Sequence, residues 1–188
     1  MSANQFQIID LSRDNESLFQ QAAELLITGF AQSAPSAWPT MPEALEEVDE
    51  ALEPGKIARV AVDADGVVWG WIGGMPTHRG QAWELHPLVV HPRHRKLGIG
   101  RALVQDLEQL VRAKGVTTLY LGTDDEMDLT SISGINLYPN VWEHIANMRN
   151  LNGHPYEFYQ KLGFVITGVL PDANGPGKPD ILMAKSVR

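Results

Sequence analysis

The chemistry-bearing residues of this sequence are concentrated in residues 83–101, which read WELHPLVVHPRHRKLGIGR. Side chains alternate across a strand, so Glu84 and His86 point to the same face. A carboxylate can bind an ammonium group and take its proton, directly or through water, and an amine must lose that proton before it can act as a nucleophile. Glu84 is therefore a candidate general base. His86 either assists it or is a hydrogen-bonded structural residue of the strand.

The strand is followed by the pattern R-x-x-G-x-G, formed by Arg95, Gly98 and Gly100, at the start of a helix with apolar periodicity. Such a turn can direct several backbone N–H groups at one anion, and the helix N-terminus adds positive potential. A dinucleotide fingerprint would place a third glycine at Leu103, and the Gly-Lys pair at Gly177 opens no helix, so neither that fingerprint nor a Walker loop fits. The pattern predicts a different phosphate-binding loop. An ordinary strand-to-helix turn with a solvated basic rim is the alternative.

Length and composition are typical of one globular domain covering residues 1–188, with 44% hydrophobic and 20% charged residues. The absence of cysteine excludes disulfides, thiolate metal sites and a cysteine nucleophile, so an acyl group would pass directly to its acceptor or through another residue type. The net charge of −8 argues against nucleic acid as the main partner and is compatible with a cationic substrate. The N-terminus resembles no signal segment and no apolar stretch is long enough to span a membrane, so we expect a cytoplasmic protein.

Hydrophobic periodicity and turn residues predict alternating strands and helices around this segment. Strands are expected at 6–11, 57–62, 67–75, 83–90, 116–123, 164–170 and 181–187, and helices at 15–30, 42–53, 99–114 and 155–162, with a further helix through Trp142, Ile145 and Met148. The helix over 42–53 carries acidic residues and no basic one, which favours a solvated face and leaves attraction of polycations as the alternative. Pro87 marks an edge, a bulge or a place where the neighbouring strand has moved away.

The glycine loop resembles the pyrophosphate loop of the GCN5-related N-acetyltransferases (GNAT), a family that binds acetyl-CoA; four cations surround it, namely Arg93, Arg95, Lys96 and Arg101. The resemblance implies an α/β (α+β) fold with a mixed central sheet of about six to seven strands, splayed between strands 4 and 5 and flanked by helices. It also implies that the pantetheine arm lies in the gap, that the backbone of residues 88–90 bonds it, and that Pro87 marks where the sheet opens. The predicted cofactor-binding residues are Leu88, Val89, Val90, Arg95, Lys96, Leu97, Gly98, Ile99, Gly100, Arg101 and Tyr159.

Tyr159 lies in Y-x-K-x-G-F, which resembles the second motif of the same family, where the equivalent tyrosine approaches the coenzyme sulfur. A thiol has a pKa of roughly 8.5 and a tyrosine roughly 10, so a tyrosine held close can donate a proton to the departing thiolate. Tyr156 lies three residues earlier and could be confused with it. Packing of the Tyr159 ring on the sheet is the alternative role.

Longer segments narrow the resemblance to one subgroup of the family, the aminoglycoside 6′-N-acetyltransferases. They are WELHPLVV, LYLGTDD, NLYP, HPYEFYQKLGF and GVLPDANGPGKPDILMAK. The resemblance implies direct transfer of acetyl from acetyl-CoA to the 6′-amine of aminoglycoside antibiotics by a homodimer, with Glu84 and His86 flanking the amine and Trp38 packed on the sugar. The predicted substrate-binding residues are Trp38, His78, Glu84, Asp124 and Asp125. The alternative for Trp38 is an aromatic side chain packed back onto the core, and for Asp124 and Asp125 it is ordinary exposed loop acids.

Two other functions stay open at the level of sequence. One is acetylation of another polycationic amine, such as a polyamine or a basic protein segment. The other is a catalytically silent acetyl-CoA-binding module, which the presence of both Glu84 and Tyr159 disfavours. His86, His91 and His94 match no zinc signature, so no metal is predicted.

Overall fold

The starts of the first two helices follow from side chains that bond nearby backbone N–H groups. The structure, a computed structural model, describes residues 6–188. Helix α1 (Glu16–Phe30) begins after Asn15, whose side chain accepts the N–H of Leu18 at 3.1 Å. Helix α2 (Met41–Ala51) begins after Thr40, whose N–H is accepted by the Glu43 carboxylate at 3.1 Å. These bonds satisfy N–H groups that a helix or its cap residue would otherwise leave without a partner.

The described residues form two compact units. The first comprises the described chain through Thr117 together with Val187 and Arg188. Its strands form an antiparallel meander in the order β1 (Gln7–Asp10), β2 (Ile57–Val62), β3 (Val68–Thr77) and β4 (Ala82–Val90). Its third α-helix is α3 (Ile99–Ala113), which ends before Gly115 at φ 77°. A glycine with left-handed φ is a common end for a helix.

The core of the first unit lies where α1 and α2 cover the meander. Its central side chain is Trp71 on β3, which is fully buried and donates its indole N–H to the carbonyl of Ala22 on α1 at 3.1 Å. Leu26 and Val48 are also fully buried in this cluster. The buried indole therefore fixes α1 against the sheet without leaving its N–H unsatisfied.

The strand irregularity predicted at Pro87 is a bulge. Ile72 pairs with Leu88 and Gly74 with Leu85, so two residues of β4, His86 and Pro87, oppose Gly73 alone. The peptide bond between His86 and Pro87 is cis. A bulge bends its strand and re-aims the side chains beside it. The bulge explains how β4 accommodates Pro87, which has no N–H to donate to β3. The predicted splay between strands 4 and 5 stays a prediction.

The second unit spans Thr118–Ser186. Its strands β5 (Thr118–Asp124), β6 (Val165–Leu170) and β7 (Asp180–Ser186) are antiparallel, with β7 between the other two. Its helices are α4 (Val141–Ala146) and α5 (Tyr156–Gln160). Buried apolar residues on its strands include Leu119, Leu121, Ile181 and Met183.

The predicted strands and long helices are all present, with ends displaced by a few residues. Two local predictions are wrong. The helix through Trp142 ends at Ala146 and does not reach Met148, and Pro155 is the residue preceding α5, not its first helical residue. Within residues 6–188, no helix combines the length and the apolar character needed to cross a membrane. A single domain over residues 1–188 stays a prediction.

We expect Gly73→Ala to destabilise the protein, because the added Cβ would lie 2.2 Å from the carbonyl oxygen of His86. This neighbour is backbone and cannot rotate away, so the cost should be about 2 kcal/mol, or a Tm lower by about 4–8 °C in a thermal unfolding scan. Gly168→Ala is the matched control, since its Cβ would meet only a Leu182 methyl at 3.8 Å. Equal Tm changes in the two variants would contradict the role assigned to the Gly73 contact.

Candidate active site

Strand β4 presents the candidate base and histidine on one face. Exposure alternates along the strand, with Trp83 and Leu85 buried while Glu84 and His86 are half-buried. Glu84 lies opposite Met75 in the register with β3, and His86 lies at the bulge. The strand period therefore gives Glu84 and His86 the common face that the sequence predicted.

His86 is surrounded by two side chains that come from the segment between α1 and the end of α2. Its ring centroid is 5.9 Å from that of Trp38, and its Nε2 is 3.6 Å from Oε1 of Glu47. The other oxygen of Glu47 accepts the indole N–H of Trp38 at 3.2 Å. Trp38 also packs edge-on against Phe30 with centroids 4.9 Å apart. The structure thus brings the predicted Trp38 and His86 together and adds Glu47, which was not predicted.

The position of Glu47 relative to the apolar residues of α2 could have indicated that it is partly buried. Glu47 lies three residues after Ala44 and four before Ala51, both of which are buried. That spacing places it beside the buried face of the helix, whereas Glu46 and Glu50 are exposed. The acids of α2 therefore do not form one uniformly solvated face.

A cavity of about 200 Å³ lies beside His86, within the first unit. It is lined by Glu47, Glu50, Ala51, Lys56, Gly74, Met75 and His86. The lysine in this lining, Lys56, has its ammonium 2.9 Å from Glu53, so part of that positive charge is already compensated. The remaining carboxylates make the cavity suited to a cationic group.

The glycine loop has the backbone geometry of an anion site. Lys96 and Gly98 both have left-handed φ values, 66° and 86°. In the part of the chain that the structure describes, no side chain caps Gly98, and the helix ladder begins only with the Ala102 N–H bonded to the Gly98 carbonyl at 3.0 Å. The N–H groups of the first α3 turn are thus left for an external acceptor, and that turn holds no acidic residue. This arrangement fits a pyrophosphate.

The guanidinium of Arg95 is turned to the first unit's own backbone. It donates to the carbonyl of Gly29 at 2.8 Å and to that of Val90 at 3.4 Å. These bonds tie the loop to the C-terminal end of α1 and to the end of β4. The side chain of Arg95 therefore orders the loop, and its neighbours Arg93, Lys96 and Arg101 are exposed.

The backbone of β4 just before the loop has alternate residues bonded to β3. His91 donates its N–H to the carbonyl of Trp69 at 2.8 Å, and Val89 lies opposite Trp71. Bonded and non-bonded pairs alternate in an antiparallel ladder, so the amide groups of Leu88 and Val90 face away from β3. This is the orientation that the predicted bonding to pantetheine amides requires.

Two histidines lie beside the loop. His94 stacks on Trp69 with centroids 4.2 Å apart, and the Nδ1 of His91 accepts the N–H of Arg93 at 3.2 Å. Burial, followed by the nearby positive groups, lowers the pKa of His91, so its ring is neutral at physiological pH and can accept that bond. Over residues 6–188, no three His, Cys, Asp or Glu side chains are grouped as metal ligands.

Tyr159 lies in the second unit on α5. It is 8% exposed and packs against Phe158 and Phe164 at centroid distances of 5.0 and 5.8 Å. Burial raises the pKa of Tyr159, so its hydroxyl keeps its proton throughout the physiological range. Tyr156, the residue with which it could be confused, donates its backbone N–H to Nδ1 of His154, whose Nε2 lies 3.0 Å from the Asp124 carbonyl.

The two acids predicted to meet substrate ammonium groups differ sharply. Asp125 is fully buried, and its oxygens accept the N–H groups of Leu129 and Thr130 at 2.7 and 2.8 Å and the Thr130 hydroxyl at 2.6 Å. Asp124 is exposed and accepts from Asn174 Nδ2 at 2.5 Å. Asp125 therefore has a structural role in its loop, and only Asp124 presents its carboxylate to solvent.

His78 is the remaining predicted substrate-binding residue. It opens a short 3₁₀-helix, His78–Gly80, between β3 and β4 and is exposed. Its carbonyl accepts the N–H of Gln81 at 3.3 Å, which closes the turn. The geometry leaves its ring accessible, and its contact with substrate stays a prediction.

Comparison with known proteins agrees with this geometry. The Acetyltransferase (GNAT) family matches residues 20–138. A solved structure of an aminoglycoside 6′-N-acetyltransferase complexed with coenzyme A is 42% identical, with 97% of each chain covered and a TM-score of 0.87. That of the aminoglycoside 6′-N-acetyltransferase from Enterococcus faecium is 43% identical, with 97% of each chain covered and a TM-score of 0.85. An aminoglycoside 6′-acetyltransferase type Ii is 38% identical over 97% of each chain, with a TM-score of 0.71.

No protein with a curated description matches the chain significantly. The family match nevertheless covers more than half of the sequence, and the solved structures are similar over almost all of it. The chain therefore belongs to the GNAT family of acetyltransferases and has its α/β fold.

Proposed function

We propose that this protein is an aminoglycoside 6′-N-acetyltransferase, which transfers acetyl from acetyl-CoA directly to the 6′-amine of aminoglycoside antibiotics and so inactivates them. The observation that carries this proposal is the similarity, at about 40% identity and over 97% of both chains, to solved structures of enzymes with that activity, one of them complexed with coenzyme A. Such similarity extends well beyond the glycine loop, which most members of the family would share.

The amine end of the proposed reaction uses the β4 face. An aminoglycoside is a polycation, and its 6′-ammonium must lose a proton before the nitrogen can attack the thioester. Glu84 binds this ammonium and removes the proton, directly or through water, while His86 lies two residues further along the same face. The acidic cavity beside His86, with Glu47 and Glu50 in its lining, supports the choice of a cationic acceptor.

The cofactor end uses the glycine loop and the β4 backbone. Acetyl-CoA supplies the thioester from which the acetyl group leaves. The free N–H groups at the start of α3 hold its pyrophosphate, and the outward-facing amides of Leu88 and Val90 bond its pantetheine arm. Because a carboxylate base and a hydroxyl donor suffice for this aminolysis, the proposed mechanism requires no metal.

Tyr159 acts on the leaving group in this proposal. As the amine attacks, the carbon–sulfur bond breaks and negative charge develops on the sulfur. A hydroxyl that is still protonated can donate a hydrogen bond to that sulfur and then pass it a proton. Burial raises the pKa of Tyr159, so the proton is present at every pH at which the amine reacts. The hydroxyl therefore stabilises the thiolate chiefly as a hydrogen-bond donor, because the raised pKa opposes complete transfer of its proton.

The proposal includes assembly as a homodimer and action in the cytoplasm. Both follow from the resemblance of the sequence segments to the subgroup. The oligomeric state is open to direct measurement by light scattering of the purified chain.

The proposed function is tested by release of the coenzyme A thiol from purified protein with different amine acceptors. We expect turnover with kanamycin and none above background with spermidine or a histone peptide. The reverse pattern would assign the enzyme to another polycation, and thiol release with none of these acceptors despite binding of coenzyme A would indicate a silent binding module.

Tyr159→Phe should lower kcat by about 10²-fold, because the departing thiolate loses its donor, while the KM for acetyl-CoA changes less than about twofold. In the wild type, kcat should rise with pH as the amine deprotonates and should not fall again before about pH 10, because a buried tyrosine with a raised pKa stays protonated there. A pH profile of kcat measures both. Tyr156→Phe, on the same helix, is the matched control, and an equal loss in that variant would remove the role from Tyr159.

Gly98→Ala should weaken coenzyme A binding by about tenfold or more, since strain at φ 86° disturbs the N–H groups that hold the pyrophosphate. Gly115→Ala is the matched control, because Gly115 has φ 77° at the opposite end of the same helix. A Cβ at either position would meet nothing within 4 Å, so both variants suffer backbone strain alone. Titration calorimetry should show the affinity loss only for Gly98→Ala, and equal affinities would exclude this loop as the pyrophosphate site.

A further inference from the structure

The acidic residues of α2 have different partners, and this separates one of them from the rest. Glu43 accepts the Thr40 N–H at the helix start, and Asp49 is 2.6 Å from the Arg13 guanidinium. Glu46 and Glu50 are exposed. Glu47 alone among the acids of this helix is half-buried, with 19% of its side chain exposed. Its carboxylate is therefore held within the unit, where the other acids either cap, pair at the surface or face solvent.

The two oxygens of Glu47 contact two different rings. Oε2 accepts the indole N–H of Trp38 at 3.2 Å, and Oε1 is 3.6 Å from Nε2 of His86. The two rings themselves are tilted by 46° with centroids 5.9 Å apart. One carboxylate thus lies between an aromatic side chain and the histidine of the β4 face.

Each ring needs such a contact to hold its position. Trp38 belongs to the proline-rich segment between α1 and α2, where no ladder of backbone hydrogen bonds fixes it, and its other ring contact is with Phe30. His86 lies at the bulge of β4 and lines the cavity, and 42% of its side chain is exposed. Ordering a half-exposed side chain costs conformational entropy, which a carboxylate with one oxygen for each partner offsets.

We propose that Glu47 is a positioning residue for the acceptor: it fixes Trp38 against His86, and His86 lines the cavity together with Glu47. This inference rests on the proposed function, because it concerns the amine that enters this cavity. Glu47 acts through the two rings and sets how the acceptor is oriented against the β4 face. It governs recognition of the amine and leaves binding of acetyl-CoA unaffected.

Steady-state kinetics separate this role from a general structural one. Glu47→Ala should raise the KM for kanamycin by about tenfold, because a hydrogen bond to a charged group is lost, with the KM for acetyl-CoA within about twofold of wild type. Glu47→Gln should recover most of the loss, since its amide oxygen can still accept the indole N–H. Glu46→Ala, at the exposed neighbouring position, should leave both KM values unchanged. Equal damage in Glu47→Gln and Glu47→Ala, or an unchanged kanamycin KM in Glu47→Ala, would overturn the proposal.

A readout that needs no turnover is the indole N–H signal of Trp38 in a nitrogen-proton NMR spectrum of the whole chain. The chain has 5 tryptophans, and the signal is assigned as the one missing in Trp38→Phe. Its hydrogen exchange should accelerate by about tenfold in Glu47→Ala and stay near wild type in Glu47→Gln and Glu46→Ala. An unchanged exchange rate of this N–H in Glu47→Ala would show that Glu47 does not hold the Trp38 ring.

The two readouts also distinguish failure of the inference from failure of the proposed function. If the wild type does not acetylate kanamycin, the proposed function fails, and the KM comparison is made with whichever amine releases thiol. The Trp38 signal still decides whether Glu47 holds the ring. A silent protein with no amine substrate would overturn the positioning role as well, because no acceptor would enter the cavity.

Discussion

The close approach of Gly73 to the backbone of His86 is the constraint on which the described amine-side geometry depends. A Cβ at Gly73 would lie 2.2 Å from the His86 carbonyl oxygen, so only glycine lets β3 follow β4 at the bulge. On one side of the bulge β4 presents Glu84, and on the other it leads through Leu88 and Val90 into the glycine loop. One strand therefore serves both the amine and the cofactor, and the extra residue at the bulge turns His86 toward Glu47.

Positive charge in the first unit is concentrated at the loop before α3, although the chain as a whole is acidic. The chain has a net charge of −8, yet the loop before α3 gathers Arg93, Arg95, Lys96 and Arg101. One of these, Arg95, is used to bind the loop to the carbonyl of Gly29, and this bond orders the backbone whose N–H groups face outward. Anion binding there rests on backbone geometry, and the free side chains add a diffuse attraction that salt screens.

The sequence predicted the elements well because their signals are local. Asn15 bonds the first turn of α1, Gly98 and Gly115 have the left-handed φ values that bound α3, and the alternation of β4 gives Glu84 and His86 one face. Contacts between distant segments left no such signal. The Glu47 carboxylate is held by rings nine and thirty-nine positions away in the chain, and burial of Asp125 depends on a loop that closes over it. The sequence pattern does not distinguish one acid of a group from the next, whereas packing gives each acid a different burial and different partners.

The number of acidic residues therefore does not measure how strongly this protein attracts a polycation. Asp49 has a guanidinium beside it, and a hydrogen bond from Lys178 holds the pKa of Asp128 below its usual value. Asp125 is enclosed by its own loop. Acids already neutralised or enclosed in this way add little to the attraction of a polycation, because their field is compensated at short range. Recognition of a cationic acceptor in the first unit therefore depends on the few carboxylates that line its cavity, and the placement of Glu47 matters more than the number of acids in α2.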